Sequence, residues 1–292
     1  MRYLLVSHNA GGAALLAAWA AHQPADVQFD CLLSGPAVGV FCQRLAHGNF
    51  IAQSALALNA YAGVITSTSS AETAWETRFI SQARSLGINT ISMLDHWTNY
   101  VSRFLWCGEY IFPDEIWVCD DYALSLAQSC QQQVPEYPPV RQVTNFYWQD
   151  LVHYIHERQE LNKTEGHILF VSEPSNNPLY TAQEALEQFL EYIHADPLAD
   201  KTLRLRLHPR EQLDDYARVL SRWQHRLRIE LSPNTRLEDD LCWAAWVVGC
   251  QTMAMVVAQA AGIKVASCLP STVAHSALPH KEIPRLFASQ QP

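Results

Sequence analysis

The sequence predicts an α/β protein built from two doubly wound, mainly parallel sheets. Three observations carry this: 292 residues is about twice the usual ~150 per domain, short apolar runs alternate with helix-forming stretches, and that alternation restarts after Gly166. Hydrophobic residues make up 49% of the chain against 17% charged, with 9 Trp, 11 Tyr and 10 Phe, so there is enough apolar surface for folded cores and disorder is excluded.

In chain order, Arg2 to Val6 is an apolar run that stops at Ser7-His8-Asn9-Ala10-Gly11-Gly12, before the helix formers Ala13 to Ala21. Val27 to Leu33 then reads as strand and Val38 to Ala46 as helix. Ala62 to Thr66 and Ala71 to Leu86 repeat the pair, and Asn89 to Met93 follows as strand. Glu115 to Cys119, the helical Tyr122 to Gln132 and Val140 to Thr144 complete the first half. Gln149 to Leu161 is polar and helical and runs into Asn162-Lys163-Thr164-Glu165-Gly166, so residues 151–166 are expected to be a linker helix between a domain of residues 1–150 and one of 167–292. In the second half Ile168 to Ser172, Leu203 to Leu207, Leu227 to Leu231, Trp246 to Gly249 and Lys264 to Cys268 read as strands. The helices between them are Ala182 to His194, Leu213 to Trp223, Leu237 to Ala244 and Met253 to Ala261. The result is two Rossmann-like units facing across a cleft. In such sheets ligands bind beyond the carboxyl ends of the strands, which is where functional residues are sought.

A net charge of -9 repels phosphate backbones at long range and argues against nucleic-acid binding. Residues 1–160 carry 7 Arg and 14 acids, residues 161–292 carry 13 bases and 15 acids, so an anion is better received by the second half. The eight cysteines form no CxxC pair and read as buried free thiols in a reducing cytoplasm. Ser7-His8-Asn9 and Gly11-Gly12 interrupt the N-terminal apolar run, which therefore reads neither as a secretion signal nor as a membrane span; peripheral membrane association stays open.

At the first strand end, Gly11 and Gly12 form either a phosphate or substrate loop before a helix N-terminus or simply a tight turn, and His8 is a base at the same edge. Asp95-His96-Trp97-Thr98-Asn99-Tyr100 follows another strand. Asp95 there is either a general base that orients His96 or a helix cap, with Trp97 and Tyr100 as core. Ser67-Thr68-Ser69 with Glu72 and Glu76 is a weaker candidate, since Ser69 before Glu72 is also an ordinary capping box. In the second half the alternating Leu203-Arg204-Leu205-Arg206-Leu207 delivers His208-Pro209-Arg210-Glu211 at its end, where His208 and Arg210 suit a phosphate. For Arg204, Arg206, Arg218, Arg222, Arg226 and Arg228 a solvated face is the preferred reading. Gln251, Thr252 and Met253 start a helix after Gly249-Cys250, and Glu173 to Asn177, including Ser175, occupies the equivalent place after the half's first strand. His153 and His156 share a helix face without a third ligand, so no metal site is expected. Asp120-Asp121, Asp214-Asp215 and Asp239-Asp240 stand at helix starts, where acids favour the dipole. GxSxG, HExxH and the Walker loop are absent.

The order of Ile168-Leu169-Phe170-Val171-Ser172, His208-Pro209 and the Gly249 to Gly262 turn and helix resembles the GT-B glycosyltransferase superfamily, in particular its bacterial surface-polysaccharide and polysialyltransferase-like group. That resemblance implies a GT-B-like pair of domains and a cytoplasmic transferase that moves a sugar from a nucleotide-sugar donor to a bacterial surface glycan or its precursor. It implies no cofactor and no metal. The nucleotide site would hold His208, Pro209, Arg210, Gln251, Thr252, Met253, Glu173 and Ser175, with Asp95 or His96 deprotonating the acceptor and His8 nearby. Many members carry a glutamate for the ribose where Val257 stands here, which favours a CMP-sugar. A nucleotide-sugar hydrolase and a non-catalytic binding protein on the same scaffold are the alternatives.

Overall fold

The computed structural model describes residues 1–45, 48–69, 73–159, 166–174, 178–195, 201–208 and 210–287. The chain divides into two compact units, Met1–Tyr147 and Trp148–Pro292.

Unit 1 runs β1 (Arg2–Ser7), α1 (Ala10–Ala21), β2 (Gln28–Leu33), α2 (Ala37–Arg44), β3 (Asn49–Phe50), β4 (Gly63–Thr66), α3 (Trp75–Ser85) and β5 (Thr90–Met93). The hairpin of β6 (Leu105–Trp106) and β7 (Glu109–Tyr110) follows, then β8 (Glu115–Val118), α4 (Asp121–Gln133) and β9 (Val140–Gln142). The sheet order is β3-β2-β1-β4-β5-β8-β9, with every pair parallel. Alternate residues of β1 explain why helices cover both faces: Leu5 packs with Ala13, Leu16 and Phe41, while Leu4 and Val6 pack with Phe79 and Ala83.

Helix α5 (Phe146–Gln159) spans the boundary between the units. Unit 2 continues with β10 (His167–Val171), α6 (Ala182–Ala195), β11 (Thr202–Arg206), α7 (Ala217–Trp223), β12 (Arg228–Leu231), α8 (Leu237–Trp243), β13 (Trp246–Gly249), α9 (Met253–Ala260) and β14 (Lys264–Ser267). Its parallel order is β12-β11-β10-β13-β14, around a core that includes Phe170, Phe189 and Tyr216. In both sheets the strand order reverses beside the first strand, so the topological switch points lie between β1 and β4 and between β10 and β13.

Several expectations change. Helix α1 starts at Ala10, so Gly11 and Gly12 are its first turn and not a loop before it. The strands β3, β6 and β7, two residues each, carry no alternation by which a sequence would reveal them. Arg204 and Arg206 do not lie on a solvated face: both reach the fully buried carboxylate of Asp240, at 3.3 and 2.6 Å, so Asp240 serves an ion pair rather than only a helix dipole. Arg218, Arg222, Arg226 and Arg228 are exposed as expected. Cys31, Cys242, Cys250 and Cys268 are buried thiols, but Cys42 and Cys107 are exposed. Among the described residues no helix is long and apolar enough to cross a membrane.

Candidate functional site

At the unit 1 switch point, β1 ends on Ser7 and β4 on Thr66. The buried Glu76 of α3 ties the two ends together: its carboxylate accepts from the His8 amide at 2.9 Å, from Ser67 Oγ at 2.9 Å and from Ser69 Oγ at 2.6 Å. Ser7 and Ser67 hydroxyls share a further bond of 2.7 Å. These contacts fix where α1 begins. A Cβ on Gly12 would lie 2.7 Å from Ser67 Cβ, and one on Gly11 would lie 2.7 Å from Asp95 Oδ2, so both glycines serve close approach. The His8 ring lies against Gly35, and its Nδ1 is buried without a partner among the described residues.

Asp95 and His96 follow β5, but they do not pair. Asp95 Oδ1 accepts from Arg103 Nη1 at 2.6 Å and from Thr68 Oγ1 at 3.4 Å, and Arg103 also donates to Thr68 Oγ1 at 2.7 Å and to the Thr98 carbonyl at 3.0 Å. Asp95 Oδ2 has no hydrogen-bond partner among the described residues. Nor does Asp95 cap a helix, because only the short turn of 102–104 follows it. His96 Nδ1 accepts the Trp97 amide at 3.0 Å, so the ring proton sits on Nε2. Burial lowers the His96 pKa against the opposing pull of Asp95, so the neutral ring is favoured, and with Nδ1 occupied by the Trp97 amide it presents Nε2–H as a donor. Trp97 Nε1 donates to both oxygens of Asp120, at 3.1 and 3.0 Å; Asp120 in turn caps α4 through Ala123 N at 2.7 Å.

At the unit 2 switch point, Glu173 after β10 reaches across to β13, where its Oε1 accepts from the Gln251 amide at 2.7 Å. Gly249 permits this path, since a Cβ there would meet the Val171 carbonyl at 2.9 Å. Thr252 caps α9, its Oγ1 accepting from Ala254 N at 3.3 Å, and Met253 is the first helical residue. Gln251 is held through Nε2 to Tyr180 Oη at 3.2 Å and through Oε1 to Ala277 N at 2.5 Å. After β11, His208 Nδ1 accepts from Arg210 N at 3.1 Å, leaving a proton on Nε2. Burial first, and then the Arg210 charge, lower the His208 pKa, so the ring is a neutral donor at pH 7. Pro209 and Ser175 lie outside the described residues.

Sequence reasoning missed the Glu211 cluster. Its carboxylate accepts from His208 N at 2.9 Å, from Ser172 Oγ at 3.0 Å and from Tyr216 Oη at 2.5 Å. The signal was the acid two places after Pro209, which locks the turn that presents His208. Glu173 lies nearby, and burial, reinforced by the Glu211 charge and opposed by the Gln251 amide, pushes its pKa up to about 7 from 4.5. A carboxyl raised on folding contributes stability in full below about 4.5 and loses it as pH rises through about 7. Thermal unfolding of Glu173→Gln should therefore fall less between pH 6 and 8 than that of wild type; parallel pH profiles would contradict this.

No family model matches the sequence, and no curated protein does. Solved structures do match in shape. UDP-GlcNAc 2-epimerase from Neisseria meningitidis, bound to UDP-GlcNAc, superposes with a TM-score of 0.66 at 10% identity, over 96% of this chain and 84% of that one. The Methanocaldococcus jannaschii UDP-GlcNAc 2-epimerase in complex with UDP-GlcNAc and UDP gives 0.64 at 11%, over 99% and 89%. A UGT transferase from Siraitia grosvenorii in complex with UDP gives 0.52 at 10%, over 91% and 81%. The chain has the GT-B fold. The GT-B expectation thus holds at the level of the fold, and none of these three structures is named for the polysialyltransferase-like group. Val257, where the resemblance expects a ribose-binding glutamate, is buried at 1% exposure.

Proposed function

We propose that this chain is a glycosyltransferase that uses a UDP-sugar, with the nucleotide phosphates held in unit 2 and the acceptor hydroxyl activated in unit 1. The observation that carries the reading is the convergence, at the β10/β13 switch point and the adjoining end of β11, of the Glu173–Gln251 bridge, the capped start of α9 and the His208 Nε2–H donor. Arg210 is exposed on the same turn and adds a bidentate cation. UDP replaces the CMP expected from sequence because structures of this fold were solved with UDP or UDP-GlcNAc. Loss of the leaving diphosphate is assisted by His208 and Arg210, while Asp95 Oδ2 accepts the proton of the acceptor hydroxyl and His96 Nε2–H orients it. A surface glycan or its precursor is the acceptor class to be tried first.

A thermal-shift and calorimetric panel of UDP, UDP-N-acetylglucosamine, CMP, a CMP-sugar and GDP tests the donor. UDP compounds should raise the melting temperature. His208→Ala should weaken their binding by roughly ten- to a hundredfold, the equivalent of a hydrogen bond to a charged group of about 1.5–3 kcal/mol. Binding of none of them would refute the assignment, and binding of CMP compounds alone would refute the choice of UDP. UDP release only with a glycan acceptor supports transfer, release without one means hydrolysis, and binding without turnover means a binding protein.

A further inference from the structure

Two carboxyl groups near enough to interact lie where the nucleotide is placed, and their donors are unequal. Glu211 takes three hydrogen bonds, from His208 N, Ser172 Oγ and Tyr216 Oη. Glu173 takes one, from Gln251 N on Oε1, and its Oε2 has no partner among the described residues. A buried carboxyl beside a second acid, with one donor and one free oxygen among the described residues, does not ionise cheaply. Glu173 is therefore the member that more readily takes up a proton.

The other groups around it do not change this. From the end of β11 come the neutral His208, the Arg210 guanidinium and the Glu211 carboxyl. Tyr216 contributes a hydroxyl whose pKa is raised by burial and by its bond to Glu211, and from the end of β14 comes Cys268, a thiol pushed well above its usual range by burial. From the β13 side, Gln251 has its own side chain occupied by Tyr180 and Ala277, so only its amide serves Glu173.

We infer that Glu173 is a specificity-determining residue that binds the nucleotide phosphate as a neutral carboxylic acid, its Oε2–H donating to a phosphate oxygen, so that nucleotide capture takes up a proton. This rests on the nucleotide placement proposed above. An ionised Glu173 would repel the phosphate, whereas the neutral acid adds a third donor to His208 Nε2–H and the Arg210 guanidinium. The proton comes from solvent and remains on Glu173, with no bond made or broken in the ligand. The Glu173 carboxyl titrates at about 7, so the coupling operates in the neutral range.

The test uses the full chain and UDP-N-acetylglucosamine, whose diphosphate is doubly esterified and does not titrate between pH 6.5 and 8.5. Wild-type affinity should fall by about tenfold per pH unit above pH 7.5, as one-proton linkage requires. Glu173→Gln, which keeps a donor and cannot ionise, should bind with an affinity constant over the same range. Calorimetry at pH 8 in two buffers of different ionisation enthalpy should show about one proton taken up per wild-type nucleotide bound. That measurement stands even if Glu173→Gln does not fold. Binding with no proton uptake, an equal pH slope in the variant, or loss of binding in a folded Glu173→Gln would each overturn the inference while leaving the nucleotide site in place. Absence of wild-type binding at every pH would remove the nucleotide site, and this inference with it.

Discussion

Asp240→Ala should destabilise unit 2 by about 3–5 kcal/mol, the cost of removing one partner from a buried ion pair. The carboxylate is fully buried and has four side-chain donors among the described residues. Arg204 Nη1 and Asn234 Nδ2 reach Oδ1 at 3.3 and 2.8 Å, and Arg206 Nη1 and Ser232 Oγ reach Oδ2 at 2.6 and 2.5 Å. It thereby ties β11 to the segment between β12 and α8. Arg204 would keep Glu230 at 2.7 Å and its stacking on Trp243, with the guanidinium carbon 3.7 Å from the ring centroid, but Arg206 would retain carbonyl partners and the Ser232 hydroxyl and no carboxylate. Against the 5–15 kcal/mol that usually separates folded from unfolded states, the loss is large, and a melting temperature lower by on the order of 10 °C is expected. Asp240→Asn, which preserves shape and part of the hydrogen bonding, should fall between wild type and Asp240→Ala. Equal melting temperatures for all three would show that the two arginines re-pair at no cost.

That cluster also shows what a sequence withholds. Arg204 and Arg206 alternate with leucines as the polar face of a strand does, and this correctly located β11. Their acid, however, is 36 and 34 residues further on, and no local pattern distinguishes a solvated arginine from one closed over by a later helix. The two sheets were legible because parallel strands buried on both faces are written as short apolar runs between helix formers. The switch points followed from strand order, and they directed attention to Ser7, Glu173, His208 and Gln251. Side-chain partnerships did not follow. Asp95 and His96 are adjacent in sequence, but neighbouring side chains of an extended chain diverge, so the carboxylate finds Arg103 eight residues on and the imidazole finds the Trp97 amide. Gly11 and Gly12 looked like a turn because glycine weakens helices. The close approach of Ser67 and Asp95, a tertiary fact, is what places them inside α1.

Replacing Asp95 by Asn should depress turnover by roughly a hundredfold to ten-thousandfold, the usual contribution of a positioned general base, with nucleotide affinity retained because the phosphate groups are assigned to unit 2. Oδ1 is committed to Arg103 at 2.6 Å, with both side chains largely buried at 16% and 13% exposure, so Oδ2 is the oxygen left to receive a proton. Its freedom depends on Gly11. A methyl group there would lie 2.7 Å from Oδ2 and would displace or cover it, although alanine favours the helix by about 1 kcal/mol. Gly11→Ala should therefore lose turnover by tenfold or more while its melting temperature stays near that of wild type, a combination that a purely structural glycine does not give. His96→Ala removes an orienting donor instead of a base and should cost less than Asp95→Asn. Asp95→Asn also weakens the pair with Arg103, so rates are compared per folded molecule and at saturating UDP-sugar. Wild-type turnover in folded Asp95→Asn would take the carboxylate out of the mechanism, and a Gly11→Ala variant that melts early and keeps its rate would reduce the glycine to packing.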